Sequence, residues 1–189
     1  MKLVILERDG TLNALPAGDD FVATPDDWHP LPGALEAVAR INRLGWHAVV
    51  ATNQPGLGRG LFDVATLNAV HAKMHRLLSA AGGRIDAVFY CPHAPGEACA
   101  CRKPAPGLFE QICERYGLDA ADVLVVGDNA EHLQAGAALG ARLHLLQSGA
   151  EPLAGLLPLA QVHQDLSAFA DYLAREAKVE GEPALVQAS

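Results

Sequence analysis

The sequence predicts an α/β fold, a three-layer sandwich around a central parallel sheet, on three observations. Short apolar runs recur along its 189 residues, helical patterns alternate with them, and polar residues gather where several of the runs end. Strands and helices in alternation favour a parallel sheet covered on both faces, because each crossover helix must carry the chain back to the same end.

The first run, Leu3 to Leu6, reads as a fully buried strand and stops at two carboxylates, Glu7 and Asp9. Residues two apart on an extended chain point the same way, so both acids can lean toward one site. Gly10 lets the backbone turn away immediately afterward. Further strands are expected at His47 to Ala51, Ala87 to Tyr90, Val123 to Val126 and Leu143 to Leu146. Leu67, Val70, Met74, Leu77 and Leu78 follow helical spacing, and Gly82-Gly83 ends that helix. Pro106 suits the opening turn of another helix, with Gly117 as its C-cap. Residues 148–164 read as an irregular surface connection. A last amphipathic helix carries Leu166, Phe169, Ala170 and Leu173, with Asp165 or Ser167 near its start. Apolar periodicity then stops, so a single domain is expected over 1–177 and a disordered tail over 178–189.

Half of the residues are hydrophobic, enough for one well-filled core at this length. A formal charge of −8 argues against nucleic acid and anionic membranes as partners, since both select basic faces. No apolar stretch approaches the ~20 residues that span a bilayer. The amino terminus runs straight into a strand without the tripartite pattern of a secretory signal. The expected setting is a reducing cytoplasm, with the protein a monomer. There the four cysteines are metal ligands or free thiols rather than disulfides.

Several strand ends bear groups suited to phosphate. Thr52-Asn53-Gln54 follows the second run and offers a hydroxyl, amides and backbone donors to phosphoryl oxygens. Arg102 and Lys103 add positive charge ahead of the next helix, and Asp128 puts a third carboxylate at the end of the Val123 to Val126 run. Carboxylates in such a place suit a hard cation such as magnesium, which neutralises phosphate charge. The set Cys91-x-His93-x5-Cys99-x-Cys101 is a complete tetrahedral zinc site with no open position, as structural sites require. Zinc there would stiffen the loop and aim Arg102 and Lys103 at the substrate. Cys113, within a helix, reads as a small buried hydrophobe.

In the order Glu7-Arg8-Asp9-Gly10-Thr11, Thr52-Asn53, Lys103 and Gly127-Asp128, these segments resemble the four motifs of the haloacid dehalogenase superfamily of phosphotransferases. The chain is also similar to the branch of that superfamily that removes the 7-phosphate from a heptose 1,7-bisphosphate, through Thr52-Asn53-Gln54-Pro55-Gly56-Leu57-Gly58-Arg59-Gly60 and Cys91-Pro92-His93. The resemblance runs to about Gln147 and implies a minimal cap and structural zinc at the four Cys/His positions. It further implies magnesium held by Glu7, Asp9 and Asp128, with Glu7 in the nucleophile's position and Asp9 as general acid and base. Thr52, Asn53 and Lys103 would hold the transferring phosphoryl group, with Gln54 and Arg102 beside them. Arg59 would reach the distal phosphate, or else stand solvated in its loop.

Two positions depart from the resembled pattern. The family's nucleophile is an aspartate, and Glu7 is longer by one C–C bond, roughly 1.5 Å. A misplacement of about 1 Å can cost on the order of a hundredfold in rate. The last motif commonly carries a second acid where this chain has His132, with Glu131 beside it, so weaker magnesium retention is expected. His71 and His75, four apart on a helix, read as packing rather than as a metal clasp, and Trp28 and Trp46 as core or rim residues. The expected function is magnesium-dependent hydrolysis of a small phosphorylated sugar. Two alternatives stand beside it: a catalytically silent relative that binds a phosphosugar or a protein partner, and a histidinol-phosphate phosphatase, whose family shares a similar zinc loop.

Overall fold

Leu3, Val4, Ile5 and Leu6 are completely buried, which an apolar strand achieves only with layers on both of its faces. In the computed structural model, which describes residues 1–147 and 159–181, this strand (β1, Lys2–Leu6) lies inside a six-stranded sheet. Every ladder of that sheet is parallel, in the order β5-β4-β1-β6-β7-β8. The other strands are β4 (Trp46–Asn53), β5 (Ala87–Cys91), β6 (Val123–Gly127), β7 (Arg142–Leu146) and β8 (Ala160–His163). A two-stranded antiparallel ribbon, β2 (Asn13–Ala14) with β3 (His29–Pro30), brackets the segment between β1 and the first helix.

Alternation along the strands sorts the core into two layers. Val4, Leu6, Ala48, Val50, Leu124 and Val126 face α1 (Ala34–Arg43), α3 (Val64–Ala80) and α6 (Leu166–Gly181). Leu3, Ile5, Val49, Ala51, Val123 and Val125 face α4 (Gly107–Tyr116) and α5 (Ala130–Ala138). At about 1.5–3 kcal/mol for each fully buried aliphatic side chain, these layers outweigh any single surface contact in holding the sheet. The three-layer α/β expectation is met.

The chain builds β4 and β5 on one side of β1, then crosses to build β6, β7 and β8 on the other. That reversal opens a crevice at the carboxyl ends of β1, β4 and β6, the place where such sheets bind ligands. A one-turn helix, α2 (Pro55–Gly58), follows β4 directly at that edge.

The expected strands and helices are present, and Gly117 caps α4 in the left-handed region with φ 62°. Asp63 caps α3 by accepting from the Thr66 N–H at 2.7 Å, and Asp165 accepts from the Ala168 N–H at 2.8 Å. Two differences stand out, and the two tryptophans take core and rim places as expected. Residues 160–163, expected to be irregular, form the edge strand β8. Helix α6 continues through 178–181, where a tail was expected, while 182–189 and 148–158 lie outside the described residues. Trp28 is fully buried in the core, while Trp46 packs on its rim.

Candidate active site

Glu7 emerges from β1 with its backbone N–H still bonded to the Val126 carbonyl at 3.1 Å, so its side chain starts from the rigid centre of the sheet. The carboxylate turns inward. Its Oε2 meets Lys103 Nζ and lies 3.2 Å from His132 Nδ1. Lys103 Nζ also donates to the Ala51 carbonyl at 2.8 Å and lies 3.1 Å from His132 Nδ1. Three acceptors for three ammonium protons make His132 Nδ1 an acceptor and its ring neutral, with Nε2 facing the Ile5 carbonyl at 3.4 Å. Burial drives the His132 pKa well below the histidine range, and the Lys103 charge pushes the same way. Burial also draws Lys103 well below the lysine range, against the pull of Glu131 and Asp128.

Asp9 is held by four hydrogen bonds from three residues. Arg8 forks onto it, Nε to Oδ1 at 2.9 Å and Nη2 to Oδ2 at 3.0 Å. Asn13 Nδ2 donates to Oδ1 at 3.0 Å and Gln54 Nε2 to Oδ2 at 3.2 Å. Arg8 is itself completely buried, a costly place for a guanidinium unless every donor is met. Gln54 Oε1 takes Nη2 at 3.2 Å and His71 Nε2 faces Nη1 at 3.0 Å.

Asp128 leaves β6 next to Gly10. A Cβ on Gly10 would sit 2.2 Å from Asp128 Oδ2, and Gly10 has φ 84°, so only glycine fits the turn that brings the two acids together. Burial raises the Asp128 pKa, and the neighbouring Asp9 charge adds to the rise. A buried carboxyl beside a second carboxylate is an environment that a divalent cation relieves, so Asp128 and the Asp9 segment fit magnesium. Glu7 fits less freely, because its carboxylate is engaged by Lys103. Among the described residues, the three acids do not converge as a ligand cluster within 4.8 Å of one another.

The crevice is a cleft of about 410 Å³ lined by Glu7, Asp9, Asn53, Lys103, Arg102 and Glu131, with Asp20 at its mouth. Of the six expected substrate contacts, Asn53, Arg102 and Lys103 reach it. Asn53 also fixes Lys103: its Oδ1 accepts the Lys103 N–H at 3.0 Å and its Nδ2 donates to the Lys103 carbonyl at 3.0 Å. Thr52 and Gln54 are placed differently. Both are fully buried, and Gln54 Nε2 donates to Thr52 Oγ1 at 3.0 Å, so they brace Asp9 and Arg8 from behind. Arg59 is also redirected. It forks onto Asp20 at 2.7 and 2.9 Å, and that pairing holds the Asp20 carboxyl below the usual range. Sequence reasoning missed Asp20, and it gave Arg8 only as part of a motif and His71 only as packing. A charged residue directly after a wholly apolar strand was the one available signal, for Arg8.

The metal loop hangs from the end of β5. The ligand atoms of Cys91, His93, Cys99 and Cys101 all lie within 4.8 Å of one another. Sγ of Cys91 is 3.8 Å from Sγ of Cys99 and 3.4 Å from His93 Nδ1, which is itself 3.3 Å from Sγ of Cys101. Zn–S bonds of about 2.3 Å in a tetrahedron place sulfurs ~3.8 Å apart, so the cluster fits zinc. Burial pushes the Cys91 thiol up to about 12, so metal binding there must displace a proton. The loop is packed on both sides: a Cβ on Gly58 would lie 2.1 Å from the Ala94 nitrogen, and one on Gly107 2.3 Å from the Ala100 carbonyl oxygen. Arg102 Nη1 donates back to the His93 carbonyl at 3.3 Å, which ties the loop to the cleft.

Fold, carboxylate-tipped strands and buried lysine define a hydrolase class, and a model of the haloacid dehalogenase-like hydrolases matches residues 3–140. The chain belongs to that family. Its relatives include the D-glycero-beta-D-manno-heptose-1,7-bisphosphate 7-phosphatase of Bordetella bronchiseptica, 51% identical over 94% of this chain and 100% of that protein. The enzyme of the same name from Neisseria meningitidis serogroup B is 45% identical over 79% of each chain. The crystal structure of the D,D-heptose 1,7-bisphosphate phosphatase from B. bronchiseptica, complexed with magnesium and phosphate, superposes with a TM-score of 0.83 at 48% identity, covering 93% of this chain and 99% of that one. The corresponding enzyme of Burkholderia thailandensis gives 0.69 at 48% identity, over 92% and 99%.

Proposed function

We propose that this chain removes the 7-phosphate from D-glycero-β-D-manno-heptose 1,7-bisphosphate with magnesium as cofactor. The observation that carries the reading is that Glu7, Asp9 and Lys103 line one cleft, with Asp128 set against Gly10 immediately beside Asp9. The identity to heptose-bisphosphate phosphatases over nearly the whole chain supports the substrate. Bound magnesium would neutralise phosphoryl charge, with Asp128, the Asp9 segment and Glu7 as its holders. Glu7 would attack phosphorus and form an acyl phosphate while the sugar oxygen leaves with a proton from Asp9. Water, deprotonated by Asp9, would then release phosphate and restore Glu7. Asn53, Arg102 and Lys103 would hold the phosphoryl oxygens, and zinc on the four Cys/His ligands would fix the loop that supplies Arg102.

In this reading the protein is a single-domain cytoplasmic monomer. No helix among the described residues is long and apolar enough to cross a membrane. The test is phosphate release by the purified, magnesium-supplied protein from the heptose bisphosphate and from histidinol phosphate, side by side. Turnover of the first above the second is expected. Binding of the heptose bisphosphate without turnover would establish the silent relative instead, a reading favoured by the engagement of Glu7 with Lys103.

A further inference from the structure

His71 lies on α3, in a helix whose other buried residues are the apolar Leu67, Val70, Met74 and Leu78. Packing alone would ask nothing of its nitrogens. Yet Nε2 stands 3.0 Å from Arg8 Nη1, at the end of a guanidinium whose Nε and Nη2 donors go to Asp9 and Gln54. Arginine carries no acceptor, so His71 must supply the lone pair and carry its own proton on Nδ1. Burial, with the Arg8 charge and then His75 acting in the same direction and Asp9 opposing, lowers its pKa to about 4, so the ring is neutral at working pH.

The consequence runs through Arg8 to the cleft. Both Asp9 oxygens are fixed by Arg8, and Asn13 and Gln54 add one bond each. Removing the lone pair leaves a buried N–H unmet, which the guanidinium can repair only by rotating toward another acceptor. Asp9 would move with it. From this geometry we infer that His71 is a positioning residue for the Asp9 carboxylate, acting through Arg8 from a helix that does not line the cleft. The inference rests on the role proposed above for Asp9.

The test compares the wild-type protein, loaded with zinc and magnesium, with His71→Leu and His71→Gln. Gln keeps an acceptor at similar reach; Leu does not. Each is assayed on the heptose bisphosphate, whose leaving alkoxide needs a proton, and on p-nitrophenyl phosphate, whose leaving group does not. His71→Leu is expected to lower kcat/KM on the sugar phosphate by roughly tenfold to a hundredfold and on the aryl phosphate by less than about threefold. His71→Gln is expected to recover most of the loss. If His71→Leu does not fold, His71→Phe keeps the ring volume without the acceptor and takes its place. Equal losses on both substrates, a Gln variant as impaired as Leu, or no loss at all would overturn the inference while leaving an active wild type and the functional reading intact. A wild type that releases no phosphate from either compound would overturn that reading, and this inference with it.

Discussion

Lys103 Nζ lies 3.1 Å from His132 Nδ1, and both groups converge on the same carboxylate, that of Glu7. The longer side chain at position 7 and the histidine at position 132 therefore act as one unit. A neutral imidazole cannot balance the lysine charge, and Glu7 reaches back to do so. The carboxylate is thereby engaged by Lys103 at the wall of the cleft instead of standing free to meet phosphorus.

Glu7→Asp shortens the side chain by one C–C bond, about 1.5 Å, and takes its oxygens out of the Lys103 contact toward the cleft. The phosphate-release rate is expected to rise by about tenfold or more, since angstrom-scale placement governs attack. The coupled change His132→Asp supplies Lys103 with a replacement carboxylate. The double variant should exceed the product of the two single effects, with a coupling of at least ~0.5 kcal/mol in a double-mutant cycle. A Glu7→Asp rate equal to or below that of the native protein, or strict additivity, would contradict this account.

The metal loop gives a separate prediction. Its four ligands come from a short segment whose backbone is pressed between Gly58 and Gly107, so the folded loop depends on a cation to hold three sulfurs and a nitrogen this close. The purified protein should contain about one zinc per chain. Chelation should speed proteolytic cleavage between Cys91 and Cys101 and lower activity, because Arg102 and Lys103 follow the last ligand directly. An apo protein with unchanged cleavage and unchanged phosphate release would rule out this role.

The parts of the molecule that were legible in the sequence share a physical cause. The four inner strands, β4, β1, β6 and β7, are short and largely apolar runs, which burial on both faces enforces, and the edge strand β5 keeps an apolar run at half burial. The metal ligands were legible because all four lie within eleven residues of chain. Strand β8 was not, since its middle residues Gln161 and Val162 are exposed and only its ends, Ala160 and His163, are buried, which leaves no apolar run to read. The setting of Asp9 was illegible for another reason. Arg8 and His71 are 63 positions apart, and only the packing of α3 beside β1 makes them partners. The pairing of Arg59 with Asp20 was illegible for the same reason, since the two are 39 positions apart and only the fold brings them together.

Gly10 tests the meeting of the acids directly. A methyl group there would lie 2.2 Å from Asp128 Oδ2, at a φ of 84° that side chains rarely adopt. Gly10→Ala should push the Asp128 carboxylate away from the Asp9 segment and cost about 1–2 kcal/mol in stability from the strained backbone. Activity should fall by more than the stability loss explains, with the magnesium concentration for half-maximal rate raised. A variant with native magnesium dependence would show that Asp128 and the Asp9 segment do not share the ion.

Stability should also depend on acid through the buried histidines, His144 above all. Its Nδ1 lies 2.9 Å from His163 Nε2, among Phe169 and Tyr172, and burial followed by the His163 and Arg142 charges depresses its pKa to about 3. The unfolded chain takes up the proton near the ordinary value of 6.5, while the folded chain resists it. The sign follows: the unfolded state binds more protons between those values, so stability is lost as pH falls from about 6.5 toward 3 and is flat well above 7. One such histidine contributes a slope of about 1.4 kcal/mol per pH unit within that window. His144→Phe keeps a ring against Phe169 and removes the titration, at the expense of the bond to His163. It should therefore be less stable than the native protein at pH 7.5, with the gap closing as pH is lowered to 5.5. Urea unfolding at several pH values in the presence of zinc measures both slopes, and parallel curves would show that His144 does not stay neutral in the folded protein.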